Sequence, residues 1–67
     1  MNSKLVANTR QGWERAGLRV ESAGMVRLVG GETLAIVLRG REPRTGNVTV
    51  LTERGQVRQY LRRELAA

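Results

Sequence analysis

The chain has neither cysteine nor histidine, and these two absences exclude much of the chemistry open to a small protein. Disulfides are impossible, and no zinc site can be built from Cys and His ligands. There is no Ser-His or Cys-His pair and no ordinary general base near neutral pH. We therefore expect no metal, no cofactor and no catalytic residue, and we predict that the protein is not an enzyme.

The acidic residues do not offer an alternative catalytic centre. All six are glutamates spread along the chain, and none lies within the apolar runs where a catalytic carboxylate would be desolvated. The glycine-rich segment 40–46 lacks the spacing and the Gly-Lys-Ser/Thr ending of a phosphate-binding P-loop.

Aromatic residues are nearly absent, since Trp13 and Tyr60 are the only two in 67 residues. A chain this short forms one domain, 1–67, and buries only about 60% of its unfolded surface. Because aromatics supply much of the area in small cores, we expect self-association to a homo-oligomer. No run approaches the roughly 20 apolar residues of a membrane span, and no signal-peptide pattern follows Lys4. The expectation is a cytoplasmic protein with no membrane partner.

What the chain does have is arginine. Twelve basic residues face six acidic ones, a net charge of +6, and eleven of the twelve are arginine. The planar guanidinium fork fits phosphate and carboxylate groups. A GC-rich genome or a hot habitat is the alternative source of such a bias.

Hydrophobic periodicity predicts an α+β fold. The N-terminal pattern fits either one helix from Ser3 to Ala16 or a short strand at 4–7 followed by a brief helix from Arg10 to Ala16, for which Thr9 is the candidate cap. An antiparallel meander of three to four strands is predicted over about 18–51, with turns at Ala23-Gly24 and Gly30-Gly31. The strand 32–39 is apolar on both faces and is expected at the centre of the sheet.

A C-terminal amphipathic helix is predicted over about 53–65. Thr52 is its candidate cap, and an apolar stripe at helical spacing is formed by Val57, Tyr60, Leu61 and Leu65. The alternative fold is a small SH3-like or Sm-like barrel with terminal helices.

Two groups of arginines are the candidate binding residues. The loop 40–47 and the strand before it carry Arg39, Arg41 and Arg44, and a loop of this kind can follow a phosphate backbone. The predicted C-terminal helix carries Arg54, Arg58 and Arg62 as one ridge at i, i+4 and i+8, with Arg63 further round. Like charges at this spacing cost a few tenths of a kcal/mol per pair, which indicates an anion supplied from outside.

Two functions fit these features. The first is a small basic protein, regulatory or architectural, that binds the phosphate backbone of duplex DNA or structured RNA through its arginines. The second is a protein-interaction module that binds an acidic protein surface, as an adaptor, an enzyme inhibitor or a subunit of an assembly such as a phage structure. Trp13 is a possible stacking residue, although an anchor in the core or at an interface is the favoured role.

Overall fold

The computed structural model describes residues 7–66, with only the backbone at Ser22 and Ala23. One short helix precedes four strands and a single turn of 3₁₀ helix. The elements are helix α1 (Arg10–Arg15), strands β1 (Arg19–Arg27), β2 (Thr33–Arg41), β3 (Val48–Thr52) and β4 (Val57–Tyr60), and the 3₁₀ helix (Arg62–Glu64).

Helix α1 confirms the short N-terminal helix capped by Thr9. The Thr9 hydroxyl accepts a hydrogen bond from the Gly12 backbone amide at 3.0 Å, which satisfies one of the first free N–H groups of the helix. Gly17, with a φ of 95°, follows the helix, as is common after a C-cap. The longer helix from Ser3 is wrong, because residues 7–9 are not helical and Thr9 has an extended backbone, with a φ of −130° and a ψ of 163°. The strand predicted at 4–7 lies outside the described residues except for Ala7.

The strands form one antiparallel sheet in the order β1-β2-β3-β4, which confirms the meander and the central place of β2. The prediction of a turn at Ala23-Gly24 is wrong, because β1 runs through it without a break in register. Val20 and Val26 differ by an even number of positions and therefore lie on one face of a single long strand.

The first hairpin closes where the glycine pair predicted it. The Leu28 amide donates to the Glu32 carbonyl at 2.8 Å, and the Gly31 amide donates back to the Leu28 carbonyl at 2.9 Å. Gly31 has a φ of 95°, the left-handed conformation that a three-residue hairpin loop requires at its last position.

The predicted C-terminal helix over 53–65 is wrong, because the chain makes a second hairpin there. The Thr52 amide donates to the Gln56 carbonyl at 2.8 Å, and the Thr52 hydroxyl accepts from the Gln56 amide at 3.1 Å. Gly55 has a φ of 83°, so it supplies the same left-handed turn position as in the first hairpin. The threonine therefore closes a hairpin instead of capping a helix.

After β4 the chain returns to the first strand. A single antiparallel bridge joins Leu28 to Leu65, flanked by hydrogen bonds from the Val29 amide to the Glu64 carbonyl and from the Ala66 amide to the Arg27 carbonyl, both 2.9 Å. With this fifth short segment, the fold is a small β-rich structure with one short helix.

The return of the chain to β1 bears on the alternative prediction of an SH3-like or Sm-like barrel with terminal helices. The chain returns to β1 through one bridge, and within residues 7–66 the second α-helix of that alternative is absent. The barrel stays a prediction.

Two apolar clusters form the core. The first is formed by residues of β1, β2 and β3 and contains Val26, Ile36, Val48 and Val50. The second lies beneath α1 and contains Trp13, Val20 and Leu38.

A bulge in β2 sets the orientation of the residues that follow it. The pairing of β2 with β3 shifts by one residue around Val37. Beyond this point Arg39 lies opposite Val50, and Arg41 lies opposite Val48. Residues directly opposite each other in an antiparallel pair share a face, so Arg39 and Arg41 lie on the same face as Val50 and Val48 of β3.

Replacing Gly40 tests the packing of α1 on the sheet. A Cβ atom at this position would lie 2.8 Å from Cε3 of Trp13 and 3.0 Å from Cδ1 of Leu18. We expect Gly40→Ala to lower the free energy of unfolding in urea by about 1–3 kcal/mol. Gly30→Ala is the matched control, because a Cβ there meets nothing, and it should cost no more than about 0.5 kcal/mol. Equal losses in the two variants would contradict this packing.

Replacing Leu61 distinguishes the observed fold from a docked C-terminal helix. The Leu61 side chain is 43% exposed, so Leu61→Ala should cost less than about 1 kcal/mol of unfolding free energy. Ile36, 3% exposed, is the comparison, and Ile36→Ala should cost about 2–5 kcal/mol. A loss at Leu61 as large as that at Ile36 would mean that the segment is packed in a different way.

Candidate anion-binding site

Within the described residues the arginines have almost no ionic partners. Among residues 7–66 the one ion pair joins Arg10 Nε to Glu14 Oε2 at 3.2 Å, on the exposed surface of α1. Two other carboxylates are engaged with backbone amides: Glu42 Oε1 accepts from the Arg44 amide at 2.8 Å, and Glu64 Oε1 accepts from the Leu61 amide at 2.6 Å. The positive charge is therefore left largely uncompensated.

Three arginines lie side by side on one face of the β1–β2 pair. Arg19 is directly opposite Arg41 in the register, and Arg39 lies two residues along the same strand from Arg41. Opposite residues have Cβ atoms about 5 Å apart, and two residues along a strand span about 6.7 Å. Like charges directly opposite destabilise a sheet, so the pairing of Arg19 with Arg41 is unfavourable for the isolated chain.

A fourth arginine is held by the ordered loop between β2 and β3. The Glu42 amide donates to the Asn47 carbonyl at 2.8 Å, and the Gly46 amide donates to the Glu42 carbonyl at 2.7 Å. The Thr45 hydroxyl accepts from the Asn47 amide at 3.1 Å. These hydrogen bonds, with the contact of the Glu42 carboxylate to the Arg44 amide, fix the backbone from which the Arg44 side chain extends.

A fifth arginine comes from the 3₁₀ helix and is tied to the same loop. The Arg62 amide donates to Asn47 Oδ1 at 2.9 Å. Gly46 leaves room for the Arg62 side chain, since a Cβ there would lie 3.0 Å from Arg62 Cδ, and its φ of 77° also favours glycine. The loop and the C-terminal segment are thus joined to one another at this point.

These five arginines border one cleft of about 680 Å³, which we call the arginine cleft: Arg19, Arg39, Arg41, Arg44 and Arg62. The β1–β2 pair supplies the first three, and the loop and the 3₁₀ helix supply the other two. The remaining lining residues are Pro43, Thr45, Gly46, Val48, Leu65 and Ala66, so none of the described side chains that line it is a carboxylate.

Beside the cleft the charge becomes mixed. A smaller hollow of about 440 Å³ shares three of the arginines and adds Glu14 and Glu21. Glu21 lies opposite Arg39 in the strand register. The uncompensated positive charge is therefore concentrated between the β1–β2 pair and the loop 42–47.

The structure brings together part of the predicted set. Arg39, Arg41 and Arg44, predicted as one group, all border the cleft, and Arg62 joins them from the second predicted group. Arg19 was not among the predicted residues. Its alternation with Leu18 and Val20 indicates an outward-facing strand position, but only the register of β1 with β2 places it opposite an arginine.

The predicted ridge does not exist, because the helix that would have formed it is absent. Arg54 lies in the second hairpin turn and Arg58 in β4, where both border a different surface with Glu32 and Glu53. Arg63 lies beside Arg62 but faces a separate shallow hollow.

Arg58 has polar neighbours on its own strand. Its Nη2 donates to Gln56 Oε1 at 3.2 Å. A side-chain hydrogen bond with Tyr60 raises the pKa of the Arg58 guanidinium above its usual value, with smaller contributions from the charges of Tyr60 and Glu32. Arg58 is therefore engaged outside the arginine cleft.

Neither aromatic residue offers an exposed ring for stacking. Trp13 is 3% exposed in the second cluster, and its Nε1 donates to Asn8 Oδ1 at 3.2 Å. Tyr60 is half-buried against the first cluster. The structure thus places Trp13 as a core anchor of its own chain.

No family model matches the chain, and neither the curated proteins nor the solved structures contain a match to it. Over residues 7–66 there is no helix of the length and apolar character needed to cross a membrane.

The like-charged pair in the cleft predicts an unusual stability effect. Arg41→Gln removes the repulsion with Arg19 and should raise the free energy of unfolding by about 0.2–1 kcal/mol at low salt. The gain should largely disappear in 1 M salt, where the screening length falls to about 3 Å. Arg15→Gln, in the exposed last turn of α1, is the control and should give no gain. A salt-independent loss of stability in Arg41→Gln would show that the pair is not repulsive.

Proposed function

We propose that the protein binds nucleic acid through its phosphate backbone, with the arginine cleft as the contact surface. The observation that carries the proposal is the convergence of five arginines on one cleft whose described lining has no carboxylate. A guanidinium group binds phosphate through two parallel hydrogen bonds, and charge-assisted bonds of this kind are among the strongest in proteins. An external polyanion would neutralise all five charges at once.

The fixed backbone of the cleft supports binding by a preformed site. Three arginines extend from paired strands, and the other two extend from segments joined by the hydrogen bond between Arg62 and Asn47. A preformed site loses less entropy when its ligand binds. The repulsion between Arg19 and Arg41 destabilises the folded protein without its ligand. A bound phosphate would neutralise both charges and remove this repulsion.

Binding without base recognition follows from the scarcity of aromatics. Both aromatic rings contribute to the core, and phosphate contacts fix position without reading sequence. We therefore propose a regulatory or architectural role that depends on contact with the phosphate backbone and not on base sequence or on catalysis.

A second candidate function is binding to an acidic protein surface. It is favoured by exposed apolar side chains on β1, on β2 and in the first hairpin loop, since Met25 and Val29 are 66% and 67% exposed and Val37 is 45% exposed. Exposed apolar side chains beside charged ones are common in protein interfaces. The same side chains are candidates for a homo-oligomer contact, which stays a prediction.

A salt titration of binding tests the nucleic-acid proposal. Each phosphate contact contributes about −0.9 to the log–log slope of affinity against salt on B-DNA and about −0.7 on a single strand. We expect Arg19→Gln/Arg41→Gln to weaken binding on all sequences alike and to flatten the slope by about two contacts. The substituted side chains border the cleft but lie outside both core clusters, so the fold should be retained.

The control variant removes the same charge elsewhere. Arg15→Gln/Arg54→Gln changes two exposed arginines outside the arginine cleft and should leave the slope nearly unchanged. Equal effects of the two double variants would mean that net charge, and not the cleft, drives binding. Absence of binding at low salt, combined with capture of an acidic protein that the cleft variant abolishes, would replace the proposal with the second candidate.

A further inference from the structure

We infer that the ligand of the arginine cleft is one single strand of nucleic acid, with its phosphates turned into the cleft and its bases turned outward. This inference rests on the proposed function and narrows it, since the sequence alone favoured duplex DNA or structured RNA. It follows from three features of the cleft: the spacing of its arginines, their division between two sides, and the absence of a stacking surface.

The spacing of the arginines on β2 suits successive phosphates of one strand. Arg39 and Arg41 are two residues apart on the same face of β2, about 6.7 Å along the strand. This is close to the separation of neighbouring phosphates along a single nucleic-acid backbone. Arg19 lies across from Arg41 on β1, so it adds a third guanidinium group beside the same stretch of backbone.

The remaining arginines approach the same backbone from another direction. Arg44 and Arg62 belong to the loop and the 3₁₀ helix, which the hydrogen bond to Asn47 holds together. A phosphate chain that lies along β2 therefore has guanidinium groups on both of its sides. This arrangement neutralises a nucleic-acid strand whose phosphates are turned into the arginine cleft.

A duplex is a poor fit between two such sides. To hold one backbone of B-DNA between them, the protein would have to place one side in the minor groove, which is only about 6 Å wide. The loop 42–47 and the 3₁₀ segment are wider than an extended backbone, because both are turned segments that carry arginine side chains into the cleft. In A-form RNA the major groove is deep and narrow, which presents the same obstacle. A single strand of nucleic acid has no second backbone and no grooves, so neither side of the cleft has to enter a groove when it binds.

The bases have no binding surface inside the cleft. Its walls contain no aromatic residue, and the apolar lining comes from Pro43, Val48, Leu65 and Ala66. Single-strand-binding proteins that face the bases present aromatic rings to them. With Trp13 buried, the phosphates are the part of the strand that this cleft can recognise. The carboxylates of Glu14 and Glu21 at one end limit the contact to a few phosphates.

Three DNA probes test the inference on the full chain. They are an oligothymidylate of about 12 nucleotides, within the range of single-strand site sizes, the same strand with abasic sites throughout, and a duplex. Fluorescence anisotropy should give the two single strands affinities within about threefold of each other, and should give the duplex an affinity at least about tenfold weaker. An oligoribonucleotide of the same sequence should match the oligothymidylate within about threefold, since the 2′-hydroxyl is not read.

The salt slope supplies an independent readout. Five contacts on a single strand allow a slope no steeper than about −3.5, and Arg19→Gln/Arg41→Gln should bring it to about −2.1. The control variant Arg15→Gln/Arg54→Gln should retain the wild-type slope.

The possible failures are distinguishable. Affinity for the duplex equal to or above that for the single strand would overturn the inference while leaving nucleic-acid binding in place. A loss of more than about tenfold on the abasic strand would show that the bases enter the cleft, and would also overturn it. Failure of all three probes at low salt, with an acidic protein bound instead, would overturn both the inference and the proposed function.

Discussion

The extra residue at Val37 in the pairing of β2 with β3 decides on which face of the sheet the arginines lie. Beyond it, Arg39 and Arg41 come level with the buried valines of β3, and pairing with β1 adds Arg19 to the same face. Without the bulge, a one-residue change of register would place the side chains of this half of β2 on the other face relative to β3. The cleft therefore depends on a local irregularity of the sheet, as is common near functional sites.

The local features of this fold were predictable where one residue type had one physical explanation. Thr9 before a short helical run, Gly30-Gly31 between apolar strands and the two-sided apolar pattern of β2 all gave correct predictions. The C-terminal segment was ambiguous, because Val57 and Tyr60 satisfy helical spacing and also fit a strand of four residues. Gly55 would weaken a helix at this position, whereas its positive φ makes it the turn residue of a hairpin.

The site was predictable only in part, because sequence spacing identifies residues that are close along the chain but not those that folding brings together. Three of its five arginines are close together in sequence, and their loop has the composition of an exposed connection. Arg19 and Arg62 join them through contacts that sequence spacing does not contain: the register of β1 with β2, and the hydrogen bond from the 3₁₀ helix to Asn47. Spacing along a helix that does not form had instead grouped Arg62 with Arg54 and Arg58, which lie on another surface.

The central claim is that phosphate is bound at the arginine cleft and not over the whole basic surface. Two-dimensional NMR of the arginine Nε–H groups, during titration with a short oligothymidylate, tests it directly. The claim predicts large shifts for Arg19, Arg39, Arg41, Arg44 and Arg62, and small ones for Arg10, Arg15, Arg27 and Arg54. Shifts of similar size across all the arginines, or shifts centred on Arg54 and Arg58, would contradict it.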